Sequence, residues 1–149
     1  GRSFIDKALG IRGENSIKFS NYLGEVLDYA LYLGFEEIVI VGHIGKMVKA
    51  AGGMMNTHSH NGDFRMEIFG CFAGLYGASS EVIKELLSCV TTEQALDILE
   101  KEKIADKVIQ KISERAEFYI NKRVENKIKT KLIIYSNEKG ILNKKEIQQ

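Results

Sequence analysis

The fold is decided by Ile38-Val39-Ile40-Val41-Gly42-His43-Ile44-Gly45-Lys46. The first four residues are β-branched and apolar on both faces of the alternation, which is typical of a buried strand in a parallel sheet. We expect this strand to end before Gly42, so that a loop runs from Gly42 to Lys46. Because ligands bind beyond the carboxyl ends of the strands in open α/β sheets, the stretch predicts an α/β fold with a ligand site in this loop.

The segments around this strand predict helices and one further strand. An amphipathic helix over 20–34 precedes it, because apolar residues repeat there at spacings of three and four and Gly34 suits a helix stop. Capping signals at Ser79 or Ser80, and a capping box at Thr91-Thr92-Glu93-Gln94, open two later helices. The other predicted elements are helices over 47–53, 64–78, 80–90, 92–101 and 105–126, a polar loop over 56–63, a strand over 131–136 and a turn over 137–140.

We interpret residues 1–149 as a single α/β domain with a Rossmann-like parallel sheet flanked by many helices. Only two strands are predicted beside six or seven helices, whereas a doubly wound sheet has about four to six strands. We therefore expect the sheet to be incomplete because the chain is a fragment of a longer protein. A first residue other than Met points the same way.

The composition narrows the classes of function. Of 149 residues, 21 are Lys or Arg and 20 are Asp or Glu, so the formal net charge of +1 argues against a nucleic-acid-binding surface. No apolar run is long enough to span a membrane, and no signal peptide is visible. Cys71 and Cys89 have neither a metal-ligand nor a redox spacing, which favours a reduced, cytoplasmic protein. Homo-oligomer formation is left open by the sequence.

The loop from Gly42 to Lys46 is the first candidate site. Its glycines allow a ligand to approach the backbone closely, and the N-terminus of a following helix attracts an anion. The spacing matches neither a P-loop nor the GxGxxG dinucleotide motif. A tight turn between a strand and a helix, with a solvated lysine, explains the residues equally well.

The polar segment Asn56-Thr57-His58-Ser59-His60, with Asp63 close behind, is the second candidate site. Asp63 is placed to orient a histidine, and the set of His43, His58, His60 and Asp63 is chemically suited to zinc or iron. The alternative is a loop with helix-capping side chains. Because all three histidines fall near one proposed sheet edge, we favour a functional site. Ser20-Asn21, before the first helix, is read on spacing alone as an N-cap.

Together these motifs resemble the C-terminal part of the CbiD family, the cobalt-precorrin-5B C-1 methyltransferases of anaerobic cobalamin biosynthesis. The matching residues are Ser20-Asn21-Tyr22-Leu23-Gly24, 41–49, Gly53, Thr57-His58-Ser59, Asp63, Arg65 and Glu67. The similarity is dense over about 16–67 and loose beyond. Family members are much longer and carry an N-terminal region that nothing here matches. The resemblance therefore implies one C-terminal α/β domain of a longer enzyme.

The resemblance also implies an activity, namely methyl transfer from S-adenosylmethionine to ring carbon 1 of cobalt-precorrin-5B. Cobalt would arrive only within the tetrapyrrole substrate, and the protein itself would hold no metal. His43 and His58 are expected to be catalytic, as polar contacts or proton carriers. Lys46, Lys49 and Arg65 are expected to pair with substrate carboxylates. The other expected substrate- or cofactor-binding residues are Ser20, Asn21, Gly42, Gly45, Asn56, Thr57, Ser59 and Asp63.

Two other functions stay open on the sequence. A metal-dependent hydrolase would use His43, His58, His60 and Asp63 and would hold a stoichiometric metal without substrate. A non-catalytic α/β module would bind a nucleotide or another small ligand, or dock a partner. The sequence also leaves open whether this chain is active without the N-terminal region of the family.

Overall fold

Two apolar segments that lie far apart in the sequence pair as neighbouring parallel strands. The computed structural model describes residues 21–144. Within that range its elements are α1 (Leu23–Leu33), β1 (Glu37–His43), α2 (Ile44–Ala51), a 3-10 turn (Ser59–Asn61), α3 (Arg65–Leu75), α4 (Ser80–Ser88), α5 (Thr92–Lys101), α6 (Ala105–Arg123), β2 (Lys129–Ser136) and β3 (Gly140–Ile141).

The sheet has the order β1-β2-β3 and mixed strand directions. β1 and β2 run parallel in a register that places Ile40 opposite Leu132 and His43 opposite Tyr135. β3 is antiparallel to β2 and pairs Ile141 with Tyr135. The α/β class and the pairing direction of the two predicted strands are confirmed. The expectation of a wholly parallel sheet is wrong because β3 returns along β2, and this small sheet does not establish a Rossmann-like arrangement.

The hydrophobic core lies between the sheet and the helices, with α6 packed against α2 and β2. The stripe of α6 that faces the core consists of Val108, Ile112, Ala116 and Ile120, all with no exposed surface. These residues recur at a spacing of four, so one helical face is apolar as the periodicity predicts. Within the described residues, no helix combines the length and the apolar character that crossing a membrane requires.

β1 differs from its prediction in length and in burial. The strand includes Gly42 and His43, and α2 begins directly at Ile44, so the expected loop over 42–46 and a helix start at Met47 are wrong. The expected burial of both strand faces holds for Ile40, which is 5% exposed, but fails for Val39, which is 52% exposed. The side chain of Val39 points to the opposite face of β1 from that of Ile40, and that face is not covered at Val39.

Most helix boundaries follow from local backbone chemistry. α1 ends at Leu33, and its C-cap is Gly34, whose φ of 77° lies in the left-handed region that favours glycine. The capping box between Thr91 and Gln94 opens α5 as predicted, and Ser79 caps α4. α6 ends at Arg123, earlier than the predicted 126. Glu125 and Asn126 have φ of 56° and 57°, a left-handed conformation in which an α-helix cannot continue.

Candidate functional site

His43 stands at the carboxyl edge of the sheet, where β1 turns directly into α2. Its Nδ1 accepts a hydrogen bond from the backbone N–H of Gly45 at 3.0 Å, so the side chain is the N-cap of α2. Its ring meets the ring of Tyr135, on the neighbouring strand, edge to face at 5.5 Å between centroids. Because Nδ1 accepts a hydrogen bond, the neutral ring carries its proton on Nε2. Nε2 is therefore the atom through which His43 can donate a hydrogen bond.

Burial lowers the pKa of His43 below its ordinary value of 6.5. The negative charge of Glu93 opposes this and raises the pKa of the imidazole, while the positive charges of Lys46 and Arg65 lower it further. The balance favours neutral His43 at pH 7. The structure thus brings three predicted residues, His43, Lys46 and Arg65, into one electrostatic neighbourhood and adds Glu93, which sequence reasoning treated only as part of a capping box.

Glu93 is fixed at this edge by Ser136, the last residue of β2. The Ser136 hydroxyl donates to Oε2 of Glu93 at 2.9 Å and accepts from the backbone N–H groups of Glu138 at 3.2 Å and Lys139 at 3.0 Å. The other carboxylate oxygen, Oε1, is buried and has no hydrogen-bond partner among residues 21–144. The sequence held one signal for this pair: β2 is predicted to end at Ser136, at the same sheet edge as His43.

The glycines at this edge make room for the protein's own side chains. A Cβ on Gly42 would lie 2.6–2.9 Å from the Met47 side chain, which is fully buried. A Cβ on Gly45 would lie 3.3 Å from Nδ1 of His43 and 3.9 Å from the methyl group of Thr92. At Gly42 the space is therefore filled by packing, which differs from the expected approach of a ligand to the backbone.

Lys49 and Thr57 form a second, buried group. The Lys49 ammonium donates to the carbonyl oxygen of Thr57 at 3.0 Å, and the two residues are only 5% and 3% exposed. The backbone N–H of Thr57 donates to the carbonyl of Asn21 at 3.0 Å, and Thr57 Oγ1 lies 3.5 Å from Asn21 Oδ1. The N-cap of α1 is Tyr22, without a side-chain bond, so the interpretation of Asn21 as a helix cap is wrong. Ser20 lies outside the described residues.

His58 and its neighbours form an exposed turn. Nδ1 of His58 accepts from the backbone N–H of His60 at 3.0 Å, and the two rings lie 5.7 Å apart. The backbone N–H of His58 in turn donates to Oδ1 of Asn56 at 3.4 Å. Ser59 is exposed in the same 3-10 turn. His58 therefore repeats the arrangement of His43, with Nδ1 occupied by a backbone N–H two residues on.

Asp63 pairs with Arg65. Its two oxygens accept from Nε and Nη2 of Arg65 at 2.8 and 2.9 Å, and Nη2 also donates to the carbonyl of Val90 at 3.1 Å. This pairing lowers the pKa of Asp63 to about 2. The expectation that Asp63 orients a histidine is wrong, since its carboxylate is taken by the guanidinium. Across the described part of the chain, no three His, Cys, Asp or Glu side chains are grouped to hold a metal, so the hypothetical site of three histidines and Asp63 is not assembled.

Comparison with known proteins places the chain in a family. The family model described as CbiD, C-terminal domain, matches residues 56–146. The chain belongs to the CbiD family. The matched part of the CbiD family is its C-terminal domain, as the residues around His43 and His58 predict. The match also extends well beyond residue 67, where we expected only loose similarity.

Several relatives of the chain carry the name cobalt-precorrin-5B C(1)-methyltransferase. The protein from Ruminiclostridium cellulolyticum is 39% identical over 137 residues, covering 92% of this chain and 36% of that protein. The relative from Photorhabdus laumondii is 38% identical over 128 residues, or 81% of this chain and 34% of its own length. The Clostridioides difficile protein is 32% identical over 149 residues, covering 98% of this chain and 36% of that protein. The chain thus spans about a third of the length of these CbiD relatives. No solved structure matches it.

Proposed function

We propose that the chain is the C-terminal part of an enzyme that methylates ring carbon 1 of cobalt-precorrin-5B in anaerobic cobalamin biosynthesis, with S-adenosylmethionine as the methyl donor. The observation that carries this proposal is the alignment of nearly the whole chain with CbiD relatives named for that reaction. The neighbourhood of His43, Lys46 and Arg65 supports it, because an acidic macrocycle needs cationic and hydrogen-bonding partners.

The edge around His43 fits the tetrapyrrole better than it fits the donor. Lys46, Lys49 and Arg65 are cations, and a sulfonium placed among them would meet like charges. The same positive charges attract the peripheral carboxylates of the tetrapyrrole. We therefore assign the substrate to this edge and derive no step through a donor held here.

The residues of the edge have distinct proposed roles. Lys46 is half-exposed at the start of α2 and attracts a substrate carboxylate as a point charge. Arg65 is already held in two-point contact by Asp63, so it contributes a fixed positive charge. Lys49 is buried and donates to Thr57, so it holds the segment that leads to His58 as well as adding charge.

The two histidines act through Nε2. His43 donates its Nε2–H to an oxygen of the substrate, since its Nδ1 is occupied by Gly45. His58 offers the same atom from the exposed turn, with Nδ1 occupied by the backbone of His60. Such fixed donors position the acceptor carbon of the macrocycle, and positioning is the main task of a protein in a displacement reaction.

The test is anaerobic incubation of the longer protein, and of this chain alone, with cobalt-precorrin-5B and S-adenosylmethionine labelled in its methyl group. We expect the longer protein to transfer the label to ring carbon 1, as read by NMR of the product. Substrate binding by the chain alone is followed by absorbance titration, and we expect it to be saturable. Absence of label in the product, or failure of the longer protein to bind S-adenosylmethionine, contradicts the proposal.

A further inference from the structure

β1 is an edge strand, and no strand within residues 21–144 pairs with its outer side. The sheet order β1-β2-β3 places β1 at one end, where it pairs with β2 alone. At the other end, β3 has only two residues, and a short strand is one of the usual ways to protect a free edge. β1 is seven residues long, so its outer side leaves a longer row of unpaired backbone groups than β3 does.

The register shows which backbone groups lie on the outer side of β1. The carbonyl of Glu36 accepts from the backbone N–H of the first residue of β2 at 2.8 Å, so it faces β2. Alternate residues of a strand direct their N–H and C=O groups to the same side, so those of Ile38 and Ile40 also face β2. The N–H and C=O groups of Val39 and Val41 therefore point away from β2, to a side where the described residues provide no strand.

The side chains of β1 do not protect this edge. Natural edge strands are protected by charged side chains or Pro, and the stretch from Ile38 to Gly42 contains neither. Val39 is 52% exposed, and the segment that leads into β1 exposes further large apolar side chains at Tyr32 and Phe35. An exposed apolar edge of this kind is a template for pairing with another segment of polypeptide.

The longer protein has enough additional chain to provide that segment. The chain spans about a third of the length of its CbiD relatives, and it matches their C-terminal domain, so most of their remaining length precedes the matched part. The described sheet has three strands, whereas the sheets of globular proteins usually have about four to six. A segment of the same polypeptide is present at a high effective concentration, which favours it over a second copy of the chain.

We propose that a strand from the N-terminal region of the longer protein pairs with the outer edge of β1, at the backbone groups of Val39 and Val41. This inference rests on the proposed function only in taking the chain as the C-terminal part of that protein. A strand paired along β1 has one end beside His43, because His43 is the last residue of β1. The N-terminal region thereby contributes residues to the carboxyl edge of the sheet, where we assign the substrate.

The first test is backbone amide hydrogen exchange in the wild-type longer protein, resolved to single residues. Ile38 and Ile40 are the internal controls, because their N–H groups face β2 from the same strand. We expect all four amides to be protected, with the protection factors of Val39 and Val41 within about tenfold of those of the controls. Lower protection factors at Val39 and Val41, or no protection at any of the four positions, overturn the proposal.

The second test identifies the segment that covers the edge. The photo-crosslinking residue p-benzoylphenylalanine replaces Val39 in the longer protein, and mass spectrometry identifies the captured peptide. We expect a peptide of the same polypeptide, from the region that precedes this chain. The same crosslinker at Leu75, which is 62% exposed on α3, is the matched control and should not capture that peptide.

The other outcomes of the cross-linking overturn the proposal. Capture of another part of residues 1–149 would mean that the chain covers its own edge. Products that migrate as dimers on a denaturing gel would mean that a second copy covers it. Capture of no peptide from Val39, or of the same peptide from Leu75, would remove the assignment to β1.

Methyl transfer by the longer protein separates this proposal from the proposed function. If the protein methylates cobalt-precorrin-5B while the amides of Val39 and Val41 exchange freely, the proposed function stands and the added strand is refuted. If the edge is protected and cross-linked as expected while methyl transfer is absent, the proposed function fails and the added strand stands.

Discussion

The backbone N–H of Gly45 donates to Nδ1 of His43 at 3.0 Å. This contact closes the first turn of α2 and fixes the tautomer of the neutral ring, with its proton on Nε2. A neutral histidine in this state presents a hydrogen-bond donor at Nε2, whereas its basic lone pair is engaged by the backbone. Of the two roles first expected for His43, a polar contact fits this geometry directly, and proton transfer requires the contact to Gly45 to open.

Replacing His43 tests its role as the N-cap of α2. Because the ring caps α2, His43→Ala should lower the free energy of unfolding by about 1 kcal/mol. His43→Asn should restore most of that loss, since Asn is a good N-cap and its side-chain oxygen can accept from Gly45. Urea denaturation of the three proteins measures both differences. Equal stability of the Ala and Asn variants would show that the cap contributes nothing.

The free energy of unfolding should depend on pH because the pKa of His43 differs between the folded and unfolded chain. Burial lowers its pKa in the folded state below the ordinary value of 6.5, so the unfolded chain binds the proton more tightly. The contribution of His43 is therefore complete above pH 6.5 and is lost as the pH falls through the folded-state pKa. The difference in unfolding free energy between wild type and His43→Asn should shift in favour of wild type as the pH rises from 5 to 7. A difference independent of pH, or one that moves the other way, contradicts this account.

The pairing of Asp63 with Arg65 should be visible in the titration of the carboxyl group. Arg65 holds the pKa of Asp63 at about 2, against an ordinary value of 3.8. In Arg65→Lys the point charge remains but the two-point hydrogen bonding is lost, so the pKa of Asp63 should rise towards 3.8. NMR of the ¹³C-labelled carboxyl carbon measures the shift. An unchanged value in Arg65→Lys would mean that the guanidinium contacts do not set the ionisation.

Gly42 should tolerate no side chain. A Cβ there would lie 2.6 Å from Cε and 2.8 Å from Sδ of Met47, which is fully buried. Moving that side chain within a packed core costs about 1–3 kcal/mol, so Gly42→Ala should be less stable by that amount. Gly74→Ala, in α3, is the matched control: its Cβ would meet only an ordinary contact at 3.4 Å, and it should gain roughly 0.5–1 kcal/mol. Thermal denaturation of both variants tests the contrast, and equal effects would refute the packing argument.

The elements with a strong local signal were predictable from the sequence. The capping box at Thr91 and the left-handed stop at Gly34 act within a few residues, so the chain itself reveals them. The parallel pairing of β1 with β2 followed from the β-branched run at 38–41. β3 has only two residues, which are too few to show the alternation of apolar and polar residues that predicts a strand. Its position depends on pairing with Tyr135 of β2.

The site was harder to predict because its contacts join distant residues. Ser136 and Glu93 are 43 positions apart, and only the tertiary fold brings them together. Asp63 and Arg65 are only two residues apart, and the nearby guanidinium, not a histidine, takes the carboxylate. The three histidines do not all lie at the sheet edge, since His43 is the last residue of β1 but His58 lies in an exposed turn.

The rate of methyl transfer in His43→Asn tests the central claim most directly. The longer protein is assayed anaerobically with cobalt-precorrin-5B and labelled S-adenosylmethionine, with His60→Asn as the control in the exposed turn. Since Asn preserves the cap but lacks the donor at Nε2, kcat/KM should fall by about tenfold, equal to about 1.4 kcal/mol, while His60→Asn keeps the wild-type value. Wild-type kcat/KM in folded His43→Asn would contradict the assignment of the substrate to the carboxyl edge of β1.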